Sequence, residues 1–265
     1  VVRLPILFAI RAALVVPVTQ AMESSAVQPV LLSPDSHPSQ QLTSRQRWID
    51  LGLILLIAIV PFIVNASYAL VHPVRQNAAV INFHFVTNML QEFSSMLLLV
   101  YILKRQGRGL VSIGLNLRWR DVPVSALLAF IGLVTSAIFS IFIRKFSLAL
   151  TGVAADMRNP HIIFGGAAPL LLAAYGVTSS IFEETIVRGF LMTELWGLSC
   201  PVWLAAVTSI IVQTSYHLYY GFAGALSISG IFLVFALFFA RQRRLAPVIL
   251  AHMYIDLLAS LAARH

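Results

Sequence analysis

Glu183, Glu184, Arg188, His217, His252 and Asp256 stand inside otherwise apolar segments of the chain. A charged group at mid-helix costs roughly 2.5 to 3.5 kcal/mol on insertion scales, so ionisable residues there are candidates for function by default. Carboxylates and imidazoles brought together support proton transfer to and from water. Two histidines and a carboxylate also suit a divalent cation such as zinc. In the run Ser179-Ser180-Ile181-Phe182-Glu183-Glu184-Thr185-Ile186-Val187-Arg188-Gly189, adjacent residues diverge by about 100° around a helix, so the two acids face different neighbours. Glu184 and Arg188 are spaced i,i+4 with the acid N-terminal, the better orientation for an intrahelical ion pair. Glu183 has no such local partner and is expected to face the interior of a helix bundle, where a desolvated carboxylate suits a general base.

The next apolar run carries Gln213-Thr214-Ser215-Tyr216-His217, and the turn joining it to the previous run is centred near Ser199. Glu183 lies sixteen residues before that point and His217 eighteen after it. In an antiparallel hairpin rising about 1.5 Å per residue, these offsets place the two side chains at similar depth, within reach of one water. The last run holds His252-Met253-Tyr254-Ile255-Asp256, an i,i+4 pair that fixes a histidine tautomer or forms half a metal site. Each group has a plainer reading: an ion cluster that locks helices, a hydrogen-bonded core histidine, a private helix pair. Their joint occurrence on three hydrophobic helices favours one common site.

Helices that cross a membrane have to position these residues. The chain is 59% hydrophobic and 11% charged with a mean hydropathy of +0.87, whereas about a quarter of the residues of a soluble domain are charged. Seven apolar runs follow one another, at approximately 49–71, 82–103, 122–143, 164–188, 202–220, 222–240 and 245–263. Runs of this length without dyad alternation are helices and not barrel strands, because a lipid-exposed backbone has to satisfy its own hydrogen bonds. The expected fold is all-α, a multi-pass transmembrane bundle of about seven spans with a polar site between the helices near 183, 217 and 252. Residues 1–47 read as a leader or a disordered tail, with Met22 an alternative to Val1 as the translation start. Residues 48–120 read as the first two transmembrane helices and a basic cytoplasmic loop, and 121–265 as the core that holds the site.

The net charge of +8 and pI near 10.3 come from Lys and Arg clustered between apolar runs, a pattern that orients helices and holds loops near anionic membrane lipid rather than nucleic acid. With the N-terminus in the cytoplasm, Arg45, Arg47, Lys104, Arg105, Arg108, Arg118, Arg120, Arg241, Arg243 and Arg244 fall inside. Arg75, Arg144, Lys145, Arg158 and Arg264 fall outside. His252 follows the basic loop by only eight residues, so the site is expected nearer the cytoplasmic side and the fourth helix is expected to project beyond the membrane there. The single cysteine, Cys200, excludes an intrachain disulfide. Glu92, in the second run, is a candidate partner for Arg188.

The ordered set EExxxR in one span, a histidine in the next and HxxxD in the last resembles the CPBP intramembrane proteases, which include the type II CAAX prenyl endopeptidases and the Abi proteins linked to bacteriocin immunity. The resemblance covers roughly residues 120–263. Two positions depart from the family pattern: Gln213 replaces an aromatic residue in FxxxH, and Asp256 stands where Asn is common. The resemblance implies that Glu183 activates a water for attack on a peptide carbonyl, with His217 binding or polarising it. His252 and Asp256 stabilise the oxyanion or complete a metal site, and Glu184 and Arg188 hold the geometry. A metalloprotease, with Glu183, His217 and His252 as ligands of a divalent metal such as zinc, and a metal-free glutamate mechanism both remain open. The implied protein is an intramembrane endopeptidase of a bacterial cytoplasmic membrane, acting on a membrane-associated peptide or protein. The alternatives are a non-catalytic immunity or scaffold protein that binds a peptide or partner, and a transporter with a proton path through Glu92, Glu183 and Asp256. No broken-helix or inverted-repeat signature supports the transporter.

Overall fold

Leu, Ile, Val, Ala and Phe dominate the apolar runs, and each run folds as a helix because the backbone of an apolar segment has to bond within itself. The computed structural model describes residues 43–72, 77–155, 157–158 and 166–262. The tail or leader expected over 1–47 lies outside the described residues as far as residue 42. Its last residues begin α1 (Ser44–Ala58), where Thr43 and Gln46 form a capping box. Helix α2 (Val60–Val71) follows at a bend of 41°. Pro61 stands in the first turn of α2; it lacks an N–H and clashes with the preceding turn, which breaks the helix there.

Helix α3 (Ala78–Arg105) is capped by the side chain of Asn77 and ends on Lys104 and Arg105, cations that suit the negative end of the helix dipole. Then come α4 (Asp121–Thr151), α5 (Pro169–Glu184), a π-helical segment (Thr185–Met192) and α6 (Thr193–Gly197). Helices α7 (Val202–Tyr216), α8 (Phe222–Gln242) and α9 (Ala246–Ala262) complete the bundle, and no strand occurs among the described residues.

Each of the seven runs carries helix among its described residues, and the helices differ in length. Among the described residues α3, α4, the continuous stretch Pro169–Gly197 and α8 are long and apolar enough to cross a membrane, and the bent pair α1–α2 makes a fifth if it is one span. Helices α7 and α9 have 15 and 17 residues, against a typical ~20 and a range of about 17–25 for a span. The apolar run at 202–220 is longer than its helix because Leu218–Tyr220 continue the hydrophobicity as a 3-10 turn that ends on Gly221, whose φ of 81° is left-handed. The stretch Pro169–Gly197 has 29 residues, a rise of ~43 Å against a hydrocarbon core of ~30 Å.

Helix α8 packs on α4 and α7, and α9 on α4 and α5, while α3 lies on α5 and α2 lies on α7 and the 3-10 turn. Two apolar clusters fill the bundle. Ile54, Leu99, Phe182, Ile186 and Phe190 belong to one, and Phe232, Phe235, Phe239, Val248 and Met192 to the other. The stretch that carries Glu183 and Glu184 therefore feeds both clusters and is buried without a break from Phe182 to Met192. Its acids are fixed by an element buried on every side.

Candidate active site

Glu183 and Glu184 occupy the last turn of α5, and the angle between neighbouring residues sends them into different surroundings. The Glu183 carboxylate faces a cavity and is held by neutral donors. The Ser179 hydroxyl donates to Oε1 at 3.0 Å, while Gln213 Nε2 and the Tyr216 hydroxyl donate to Oε2 at 2.9 and 3.0 Å. Among the described residues no arginine or lysine pairs with it, and the His217 Nε2 lies 4.0 Å from Oε2.

His217 caps the C-terminus of α7, with Nδ1 2.8 Å from the carbonyl oxygen of Gln213. A carbonyl only accepts, so Nδ1 carries the proton of this bond and the neutral ring offers Nε2 as its acceptor. Tyr216 and Phe232 flank the imidazole with centroids 4.9 Å away, and Tyr219 stands at 5.6 Å.

Glu184 is turned away from the cavity. Its Oε1 receives His252 Nδ1 at 2.8 Å and Gln213 Nε2 at 3.3 Å, and Arg188 Nε lies 3.3 Å from Oε2. The guanidinium also sits over the Phe232 ring at 5.5 Å, with Nη2 3.4 Å from the Phe232 carbonyl oxygen. Arg188 is thus taken up by Glu184 and Phe232, not by Glu92. Glu92 is buried on α3, and neither of its carboxylate oxygens has a formed hydrogen bond.

On α9, His252 Nε2 lies 3.6 Å from Asp256 Oδ2, which accepts the Ser180 hydroxyl at 2.9 Å. The approach of α9 to α5 depends on Gly176. A Cβ there would stand 3.1 Å from the Cβ of Asp256, tighter than ordinary contact.

Glu183, His217, His252 and Asp256 line one cavity of about 70 Å³, with Tyr175 and Tyr219 among its aromatic walls. The six residues singled out in the sequence therefore come together, four at the cavity and two behind it. The structure adds a second task for Glu184, which anchors His252 as well as pairing with Arg188. It also adds Ser179, Ser180, Gln213 and Tyr216, which sequence reasoning did not assign. Their signal was present: Ser179 precedes Glu183 by one helical turn, and Gln213 precedes His217 by one.

A metal is not accommodated by this side-chain arrangement. Zinc ligands stand about 2.0–2.2 Å from the ion, and among the described residues no three His, Cys, Asp or Glu side chains are grouped to hold one. The expected ligands Glu183, His217 and His252 share the cavity, yet the Glu183 oxygens are already engaged by Ser179, Gln213 and Tyr216.

The π-helical segment begins immediately after Glu184. Such segments widen a helix by one residue per turn and recur at functional sites. All of these features fall within one contiguous part of the chain. Residues 165–258 match the family of type II CAAX prenyl endopeptidases, Rce1-like. The Rce1-like stretch begins just ahead of α5 and ends two residues beyond Asp256, so it contains every residue of the cavity described above except Ala259 and Ser260. An endopeptidase hydrolyses peptide bonds, and over these residues the chain is similar to such enzymes. The apolar helices make it a multi-pass membrane protein. No curated protein and no solved structure matches the chain.

Proposed function

We propose that the protein is an intramembrane endopeptidase in which Glu183 activates the attacking water. The observation that carries this reading is the state of Glu183: a carboxylate lining the cavity, oriented by three neutral donors, with His217 Nε2 4.0 Å away. That separation is too long for a hydrogen bond and suits a water that touches both groups. Glu183 accepts a proton from the water, whose lone pair attacks the carbonyl carbon of the scissile peptide. His217, with its proton on Nδ1, accepts the water's other hydrogen at Nε2 and so aims the oxygen lone pair. His252 has a carboxylate at each ring nitrogen, Glu184 at Nδ1 and Asp256 at Nε2, and it supplies an N–H to the oxyanion. Collapse of the tetrahedral intermediate returns the proton from Glu183 to the departing amine nitrogen. Glu184 and Arg188 keep His252 in place.

The substrate in this reading is a membrane-associated peptide or protein that enters the bundle from the bilayer or the cytoplasmic side of a bacterial cell membrane. The N-terminus and the basic segments at 104–120 and 241–244 lie in the cytoplasm. Thiol labelling of single cysteines placed in these segments, in sealed and in opened cells, checks the orientation. Purified protein incubated with candidate membrane peptides should cleave, and Glu183→Ala should not. Cleavage retained in that variant would sink the glutamate mechanism. If Glu183→Gln instead preserves a cellular phenotype that changes in exposed loops abolish, the protein is a binding or scaffold protein.

A further inference from the structure

Arg158 stands in the connection between α4 and α5, far in sequence from every residue of the site, and it makes an unusual set of bonds. Its Nη1 donates to the carbonyl oxygens of Ala69 at 2.7 Å and Tyr219 at 3.0 Å, and its Nη2 donates to that of Leu70 at 2.6 Å. Its backbone N–H donates to the Tyr220 carbonyl at 3.2 Å. Ala69 and Leu70 belong to the last turn of α2, where carbonyls have no intrahelical partner and the helix dipole presents its negative end. Tyr219 and Tyr220 form the 3-10 turn that follows His217, and both line the catalytic cavity. The neighbouring Met157 is seated too, its sulfur accepting hydroxyls from Ser140 of α4 at 3.3 Å and Ser227 of α8 at 3.6 Å.

We infer that Arg158 is a positioning residue for substrate binding, which fastens the Tyr219–Tyr220 wall of the cavity to the C-terminus of α2. A guanidinium is suited to this because its planar fork reaches acceptors on two elements at once, whereas an ammonium is a compact point charge. The groups that hold Glu183 are Ser179, Gln213 and Tyr216, and the His217 ring is anchored to the Gln213 carbonyl. None of these bonds passes through Arg158. Its loss therefore releases the wall and leaves the catalytic groups in place.

The experiment compares Arg158→Ala and Arg158→Lys with the parent protein in detergent or nanodiscs, by amide hydrogen exchange and by peptide cleavage. Amides of Tyr220 and Gly221, bonded within the turn to His217 and Leu218, should exchange faster in Arg158→Ala, less so in Arg158→Lys, with those of α4 and α8 unchanged. The kinetic arm rests on the protease reading: KM should rise about tenfold with kcat nearly unchanged, the pattern of lost binding that is equal in ground and transition states. Unchanged exchange at 218–221 overturns the proposal, and so does a fall in kcat at constant KM. Exchange that rises as expected while the parent protein cleaves no peptide supports the role of Arg158 and overturns the protease reading instead.

Discussion

Buried carboxylates occur in two regions of this protein, and they are treated differently. Near the basic segments, Asp50, Asp121 and Glu194 are buried to 1% exposure or less. Each is bonded to an arginine that keeps contact with solvent: Arg105, Arg244 and Arg108. In the cavity region, Glu184 is paired with the fully buried Arg188, and among the described residues Glu183 has no arginine or lysine partner. A carboxylate tied to an arginine has its lone pairs committed and its charge balanced. One oriented by hydroxyl and amide donors keeps the capacity to take a proton. In the proposed mechanism the difference between Asp50 or Glu194 and Glu183 is a difference between fastening and chemistry, although all are acids buried in a bundle.

The sharpest way to break this contrast is to neutralise Glu183. Glu183→Gln preserves volume and removes the base, and the rate of peptide cleavage should fall by about 10²–10⁴-fold, with thermal stability close to that of the parent. A variant that cleaves as fast as the parent would place Glu183 among the fastening acids. Arg188→Ala acts in the opposite sense, on the fold. It strands Glu184 in a site with no exposure, and removing one partner of a buried pair costs about 3–5 kcal/mol. Denaturation in detergent measures it. Adding Glu184→Gln should recover much of that stability, yet activity should stay low because His252 loses its carboxylate anchor.

Gln213 tests what lies between the two kinds of acid. Its amide nitrogen reaches both Glu183 at 2.9 Å and Glu184 at 3.3 Å, so it fixes the angle between base and support. Gln213→Leu removes one of the three donors of Glu183 and should lower kcat by about tenfold, the worth of one hydrogen bond to a charged group. Steady-state kinetics should show the loss in kcat more than in KM.

The residue types that make the site stood out in the sequence because acids, histidines and an arginine are costly in apolar helices. The separate fates of Glu183 and Glu184 followed from the angle between adjacent helical positions. Other features depend on contacts between segments distant in the chain. Gln213 reads as a polar interruption until α7 is laid beside α5, when it becomes the bridge between two acids. The π segment at 185–192 departs from the i,i+4 period without any Pro to mark it, and it is set by packing into two apolar clusters. The apolar run at α7 is longer than its helix, because Leu218, Tyr219 and Tyr220 continue the hydrophobicity as a 3-10 turn. The bend between α1 and α2 was signalled by Pro61, yet the continuous hydrophobicity across it concealed two helices.

Glu194 provides the smallest and most discriminating effect. It lies just beyond the π segment, near the start of α6, with Arg108 bonded to one oxygen and Arg47 Nη1 4.0 Å from the other. Glu194→Gln leaves both arginines with their side chains partly in solvent, so water takes over what the carboxylate gave up and no charge is stranded. The cost should be about 1–2 kcal/mol in stability, within the range of a lost charge-assisted hydrogen bond, against the larger penalty at Arg188. Cleavage kinetics should be unchanged, because none of its partners touches the cavity. A fall in kcat without a fall in stability would mean that the basic end and the cavity are coupled through the stretch from Glu184 to Glu194, and the division between fastening and chemical acids would then fail at this position.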